Sequence, residues 1–254
     1  SSNINLSSAY LDPFSGGGVH SCAILEDSSV TCWGYNQYGE LNVPNGLTGV
    51  IDVELGNRQS FALKSDGTIA CWGRNQYGEC SDIPDGLNDV EQLYAGGNGF
   101  VAALRSDGSL VGWGTNYCNG CNGDAEDYGL EGPLNFPENL TDIELLDGGQ
   151  YHLLALKSDG TVVAWGDNSR GQLGVPDEIQ GHTVQVSGGG GHSLALLQDG
   201  TVAAWGCENL LYGPTDEGQC NVPDYIQGNV VAVEAGYKTS FAILNDGTVA
   251  AWGE

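Results

Sequence analysis

The chain has 254 residues, 33 of them acidic and 7 basic, for a net charge of −26. That length suits one large all-β domain or two small ones, and that charge repels a phosphate backbone, which excludes nucleic acid as a partner class. Forty-one glycines beside six Trp and 11 Tyr point to many tight turns rather than to disorder.

No run of 18 apolar residues is present, so no membrane insertion is expected. Methionine is absent even at position 1, and no basic segment leads into an apolar one, which reads as a processed or trimmed chain. The first predicted element is "INLSSAYL", residues 4–11, an extended segment ahead of any hairpin. The first hairpin follows at 20–34, where "SCAIL" and "VTCWG" flank "EDSS". The second spans 59–73, with "SFALK", the turn "SDG" and "TIACWG". Further copies are predicted at 100–114, 152–166, 192–206 and 239–253, and every Trp of the chain sits in their "WG" ends. Asp-Gly between two alternating apolar runs is a hairpin signal, because Gly adopts a positive φ without a Cβ clash. The first copy has Ser28 where the others have Gly. A loop such as "NQYGELNVP" follows each hairpin, and then another short strand such as "GVIDVELG".

One unit is therefore three or four antiparallel strands over about 40 residues, the period of a propeller blade. The reading is a single all-β domain over 1–254, a six-bladed β-propeller. A lone sheet leaves both faces and its edges open, so closure matters, and residues 4–11 are expected to join the last blade or to bridge first and last.

The unit quoted by "GGGHSLALLQDGTVAAWG" and "AWGDNSRGQLG" resembles the repeat of the regulator of chromosome condensation family. The Val-Pro pairs after the loops (Val43-Pro44, Val175-Pro176, Val222-Pro223) resemble its secreted bacterial branch, which includes a β-lactamase-inhibitory propeller. The resemblance implies a propeller fold over almost the whole chain and a binding role. Such relatives usually have seven blades, which leaves two readings: a six-bladed ring, or a seventh blade outside these residues.

Eight cysteines permit four local pairs. Cys22 and Cys32 lie equally far from Asp27 and should face each other across the first hairpin. Cys71 is assigned to Cys80 across the "NQYGE" loop, Cys207 to Cys220 around "CENLLYGPTDEGQC", and Cys118 to Cys121 within "CNGC". Four disulfides imply an oxidising compartment, hence a secreted or cell-surface protein. The rival for Cys118 and Cys121, a zinc or redox pair, lacks a second C-x-x-C and a following helix. The sequons at Asn5 and Asn139 matter only in a eukaryotic host.

His20, His152 and His192 share one repeat position, which reads as structural rather than as a metal triad. No nucleophile elbow, zinc-protease helix or phosphate loop appears, so no enzyme is expected. No cofactor is expected either. The alternative is weak: Asp124, Glu126 and Asp127 stand at spacings loosely suited to Ca²⁺ without the full loop pattern.

The loops after "WG" follow equivalent strands, and insertions lengthen two of them, which marks a binding face. Tyr and Arg anchor protein interfaces. Tyr35, Arg74, Tyr117, Tyr128, Arg170 and Tyr212 are therefore the candidate partner-binding residues. Tyr38 and Tyr77 repeat one position and read as loop scaffold. The expected function is a secreted, non-enzymatic module that binds a protein, with enzyme inhibition as one version. The alternative is glycan binding, or self-assembly as a structural subunit of a matrix, surface layer or appendage.

Overall fold

A computed structural model of the protein describes residues 14–16, 18–116, 132–208 and 217–254. Residues 4–11 lie outside the described residues, as do Tyr117, Cys118, Cys121, Asp124, Glu126, Asp127, Tyr128 and Tyr212. The chain divides into two compact units, residues 1–116 and 117–254.

Among the described residues the first unit holds three sheets. They are β1 (Phe14–Gly16), β2 (His20–Ile24) and β3 (Val30–Gly34); β4 (Val50–Leu55), β5 (Gln59–Lys64) and β6 (Ile69–Gly73); and β7 (Val90–Ala95), β8 (Phe100–Arg105) and β9 (Leu110–Gly114). The second unit repeats the plan with β10 (Ile143–Gly148), β11 (His152–Lys157) and β12 (Val162–Gly166); β13 (Thr183–Gly188), β14 (Ser193–Leu197) and β15 (Val202–Trp205); and β16 (Val230–Ala235), β17 (Thr239–Leu244) and β18 (Val249–Gly253). Each sheet is a three-stranded antiparallel meander, and all six predicted hairpins are present.

The turn chemistry explains the regularity. Each turn aspartate accepts the backbone N–H two residues on, as Asp66 does from Thr68 at 3.1 Å and Asp107 from Ser109 at 2.9 Å. The next residue has a positive φ, supplied by Gly67, Gly108, Gly160, Gly200 and Gly247, and by Ser28 at 61° in the first sheet. The glycine of "WG" ends the third strand in five of the sheets, and in the other β15 stops at Trp205. At Gly73 a Cβ would stand 2.7 Å from the Arg58 carbonyl, so this position needs Gly for space as well as for φ.

The core lies between neighbouring sheets. Phe61 and Leu63 of β5 pack on Val90, Leu93 and Trp113 of the third sheet. In the second unit Leu194 and Leu196 of β14 pack on Val230, Val233 and Trp252. Both faces of such a sheet are buried, which is why β5, β8 and β11 are apolar without strict alternation. Tryptophan also fastens sheet to sheet. The indole N–H of Trp72 donates to the Glu40 carbonyl at 2.8 Å, Trp113 to Glu79 at 2.7 Å and Trp205 to Gln172 at 2.9 Å. Each acceptor belongs to the loop of the preceding repeat.

Three expected disulfides are present. Cys22 and Cys32 are directly paired in the β2–β3 register, with Cα atoms 4.1 Å apart. Cys71–Cys80 and Cys207–Cys220 close their loops at Cα separations of 5.4 and 6.1 Å.

Candidate partner-binding surface

Register places the key residues of the first unit. Gln59 pairs with Gly73 across β5 and β6, so Arg58 and Arg74 emerge side by side from the same end of that hairpin. The Arg74 N–H donates to the Arg58 carbonyl at 2.8 Å, and the Tyr35 N–H makes the same bond to Val19 at 3.0 Å. Tyr38 and Tyr77 follow in the equivalent loops. Buried carboxylates hold these loops, because Glu40 accepts the Tyr38 N–H and Glu79 the Tyr77 N–H, each at 2.7 Å.

The result is an alternating stack. The Arg58 guanidinium lies 5.5 Å from the Tyr35 ring centroid and 5.1 Å from that of Tyr38. The Arg74 guanidinium lies 5.7 Å from Tyr38 and 5.5 Å from Tyr77. Cation and ring attract at these distances. Tyr35, Tyr38 and Tyr77 remain 41%, 46% and 47% exposed, so the stack is a surface feature. The side chains of Gln37 and Gln76 take hydrogen bonds from Tyr35 and Arg74 and steady these two members.

The charges are distributed unevenly. Lys64, Arg105, Lys157 and Lys238 each form an ion pair with an acidic side chain. Among the described residues no carboxylate forms an ion pair with Arg58 or Arg74, in a chain with 33 acidic residues. Beside Arg74 is a small cavity of about 60 Å³, lined in part by Asn57, Gln59, Tyr77, Glu79 and Asn98. Gln59 is 2% exposed, and its Nε2 is buried without an acceptor.

The sequence-predicted residues therefore separate. Tyr35 and Arg74 meet in one stack. Arg170 belongs to the second unit, where it is half-buried and its backbone N–H donates to Gln172 at 2.7 Å. Tyr38 and Tyr77, read as scaffold, are exposed members of the stack as well as loop residues. Arg58 was missed. The signal that reveals it is the hairpin register, which sets residue 58 against residue 74.

The shared histidines are structural, and they bond between sheets rather than between strands of one sheet. Nε2 of His20 meets Ser60 Oγ at 2.8 Å, and His152 and His192 meet Ser193 and Ser240 at 2.9 Å. Burial lowers the His152 pKa to about 3, with a smaller contribution from nearby His192. His20 is lowered by burial too, against an opposing pull from Glu40. Among the described residues no three His, Cys, Asp or Glu side chains are grouped to hold a metal. No helix among them is long and apolar enough to cross a membrane.

The model of the regulator of chromosome condensation (RCC1) repeat matches residues 14–40, 50–79, 143–172 and 183–212. Protein pim1 of Schizosaccharomyces pombe is 48% identical over 42 residues, which is 16% of this chain and 8% of pim1. Among solved structures, the ectodomain of the Physcomitrella patens receptor kinase CR4 superposes with a TM-score of 0.72 at 21% identity, covering 95% of this chain and 64% of the other. Yeast RCC1 (Prp20), solved bound to Kap60, gives 0.69 at 22% identity, covering 94% and 69%. Human WBSCR16 gives 0.67 at 18% identity, covering 98% and 78%. The chain thus spans under two-thirds of the CR4 ectodomain and a small part of pim1.

Proposed function

We propose that this chain, a six-bladed β-propeller of RCC1-type repeats, is a non-catalytic module that binds a protein through the Tyr35–Arg58–Tyr38–Arg74–Tyr77 stack. The single observation that carries the reading is that stack, two cations without carboxylate partners held between three exposed tyrosines. Tyr and Arg are the side chains that dominate protein interfaces. A pre-stacked array loses little freedom on binding, because the guanidinium planes are already positioned. The relatives point the same way: yeast Prp20 has been solved with Kap60 and characterised for binding to Gsp1p and histones.

A glycan reading needs free aromatic faces for sugar stacking, whereas both arginines crowd the Tyr38 ring. The three disulfides favour an oxidising, extracellular setting. The inhibitory propellers that the repeat resembles make a secreted enzyme the first partner class to screen.

The test is capture of partners from the native extracellular milieu by the immobilised chain, run beside a glycan array. The variant Tyr35→Ala/Arg58→Ala/Arg74→Ala should lose the captured protein or bind it more than about tenfold more weakly, as removal of interface anchors does. Undiminished capture by that variant would place the binding face elsewhere. Retention on the array without a protein partner would favour the glycan alternative.

A further inference from the structure

We propose that the stack selects carboxylates: the partner segment it receives is an extended acidic stretch with two Asp or Glu side chains, one facing Arg58 and one facing Arg74. This rests on the stack being the binding surface and adds the chemistry of what it binds.

The argument begins with what is left unused. The rings of Tyr35, Tyr38 and Tyr77 occupy the neighbourhood of both guanidinium groups. The Arg58 guanidinium keeps its in-plane N–H edge, and Arg74, which gives one Nη2 N–H to Gln76, keeps its remaining N–H groups, so each can still meet a carboxylate. The chain's own carboxylates take up Lys64, Arg105, Lys157 and Lys238 in ion pairs, and among the described residues they form none with these two. The cavity beside Arg74 adds an independent observation. Gln59 Nε2 is a buried donor with no acceptor, and the amides of Asn57 and Asn98 stand with it. A buried donor left unmade is costly, and an incoming oxygen would satisfy it. Space of about 60 Å³ suits one carboxylate-sized group. Both arginines flank the same Tyr38 ring, at 5.1 and 5.7 Å. Side chains two residues apart on an extended strand share a face at about 7 Å spacing, so one short segment reaches both.

The net charge of −26 opposes an acidic segment at long range, so the two arginines must outweigh it locally; a local opposing group is Glu79, and this makes the proposal sharply testable. It lines the cavity and is 1% exposed, and its Oε2 accepts the Tyr77 N–H. In the second unit Gln172 and Gln219 do the equivalent work, accepting backbone N–H groups at 2.7 and 2.8 Å. Glu79→Gln therefore keeps the loop bond while removing the charge.

The probe is acetyl-Gly-Asp-Gly-Asp-Gly-amide, titrated by calorimetry or NMR into the full chain, with the Asn-for-Asp peptide beside it. The Asp peptide should bind about tenfold more tightly than the Asn peptide, the usual scale for a lost charge-assisted contact. Arg58→Gln and Arg74→Gln should each weaken it by about fivefold or more, and Glu79→Gln should tighten it by about threefold or more, because the nearby like charge is gone. No binding of the Asp peptide, equal binding of both peptides, or no gain from Glu79→Gln in a variant with a wild-type melting curve would overturn the proposal. Partner capture that still depended on the stack would then leave protein binding standing and remove only its acidic specificity.

Discussion

Two kinds of glycine position recur in this chain, and they differ in what a side chain costs. At Gly108, in the turn after β8, φ is 80° and an added Cβ would meet nothing within 4 Å. Substitution there costs only backbone strain, about 1 kcal/mol for a left-handed residue. At Gly73 the Cβ would also press on the Arg58 carbonyl and on Gln59 Cα, at 2.7 and 3.1 Å, and backbone cannot step aside cheaply. Ser28 is the natural version of the first case. Its φ is 61° and its N–H still closes the turn onto the Leu25 carbonyl at 2.9 Å. Ser28→Gly should therefore stabilise the chain by up to about 1 kcal/mol, offset in part by the looser unfolded chain. Gly108→Ala should destabilise it by about 1 kcal/mol, and Gly73→Ala by more than either. Urea unfolding midpoints of the three variants check the order, and a Gly73→Ala no worse than Gly108→Ala would refute the close-approach account.

At the scale of strands and loops, tryptophan is both core and fastener. Trp113 is 5% exposed, packs against β5 and β7 and bonds the Glu79 carbonyl, whereas Trp33 in the first sheet is 53% exposed. Trp113→Phe keeps most of the apolar area and loses one buried hydrogen bond, which predicts a loss of about 1–3 kcal/mol. Trp33→Phe should change stability by no more than about 0.5 kcal/mol, as an exposed site does. Thermal or urea melts of both variants test the contrast. The sheet plan was legible because each repeat states its own hairpin: an aspartate, a left-handed residue and a "WG" end are local signals. The disulfide Cys22–Cys32 was legible for the same reason, since hairpin register opposes its two cysteines, whereas register sets Cys71 against Phe61 and its pairing with Cys80 was read from the short loop between them. The stack was legible only in part. Tyr35 and Arg74 are the one difference between the stretches "CWGYNQYGE" and "CWGRNQYGE". Arg58 acts across two sheets, and Tyr38 and Tyr77 hide a contact role inside a repeated scaffold position. Local pattern does not encode which loop tips meet.

For the molecule as a whole, charge and burial respond to acid in opposite directions, and the pH window separates them. A net charge of −26 repels itself, so protonating carboxylates below about pH 4.5 relieves strain on the compact state. The turn aspartates work against that relief. Hydrogen bonds from Thr68, with help from Lys64, hold the Asp66 pKa at about 2, and Asp107, Asp159, Asp199 and Asp246 are lowered chiefly by the Ser or Thr two residues on. Their contribution is complete above the unfolded value near 4 and is lost as pH falls through the lower folded values. Between about pH 6.5 and 5 neither group titrates appreciably, and histidine decides. His152 is uncharged when folded, with a pKa of about 3, while the unfolded chain takes up its proton near pH 6.5. The unfolded state then binds more protons, so stability falls as the pH falls, by about 2 kcal/mol at pH 5 for each histidine shifted this far. Urea midpoints measured from pH 7.5 down to 5 should therefore decline, and His152→Gln should flatten that decline even if it lowers the midpoint throughout. A wild-type midpoint that held level or rose across this window would show that His152 charges in the folded chain. That result would also contradict the buried His152–Ser193 contact, whose environment leaves no room for a solvated imidazolium.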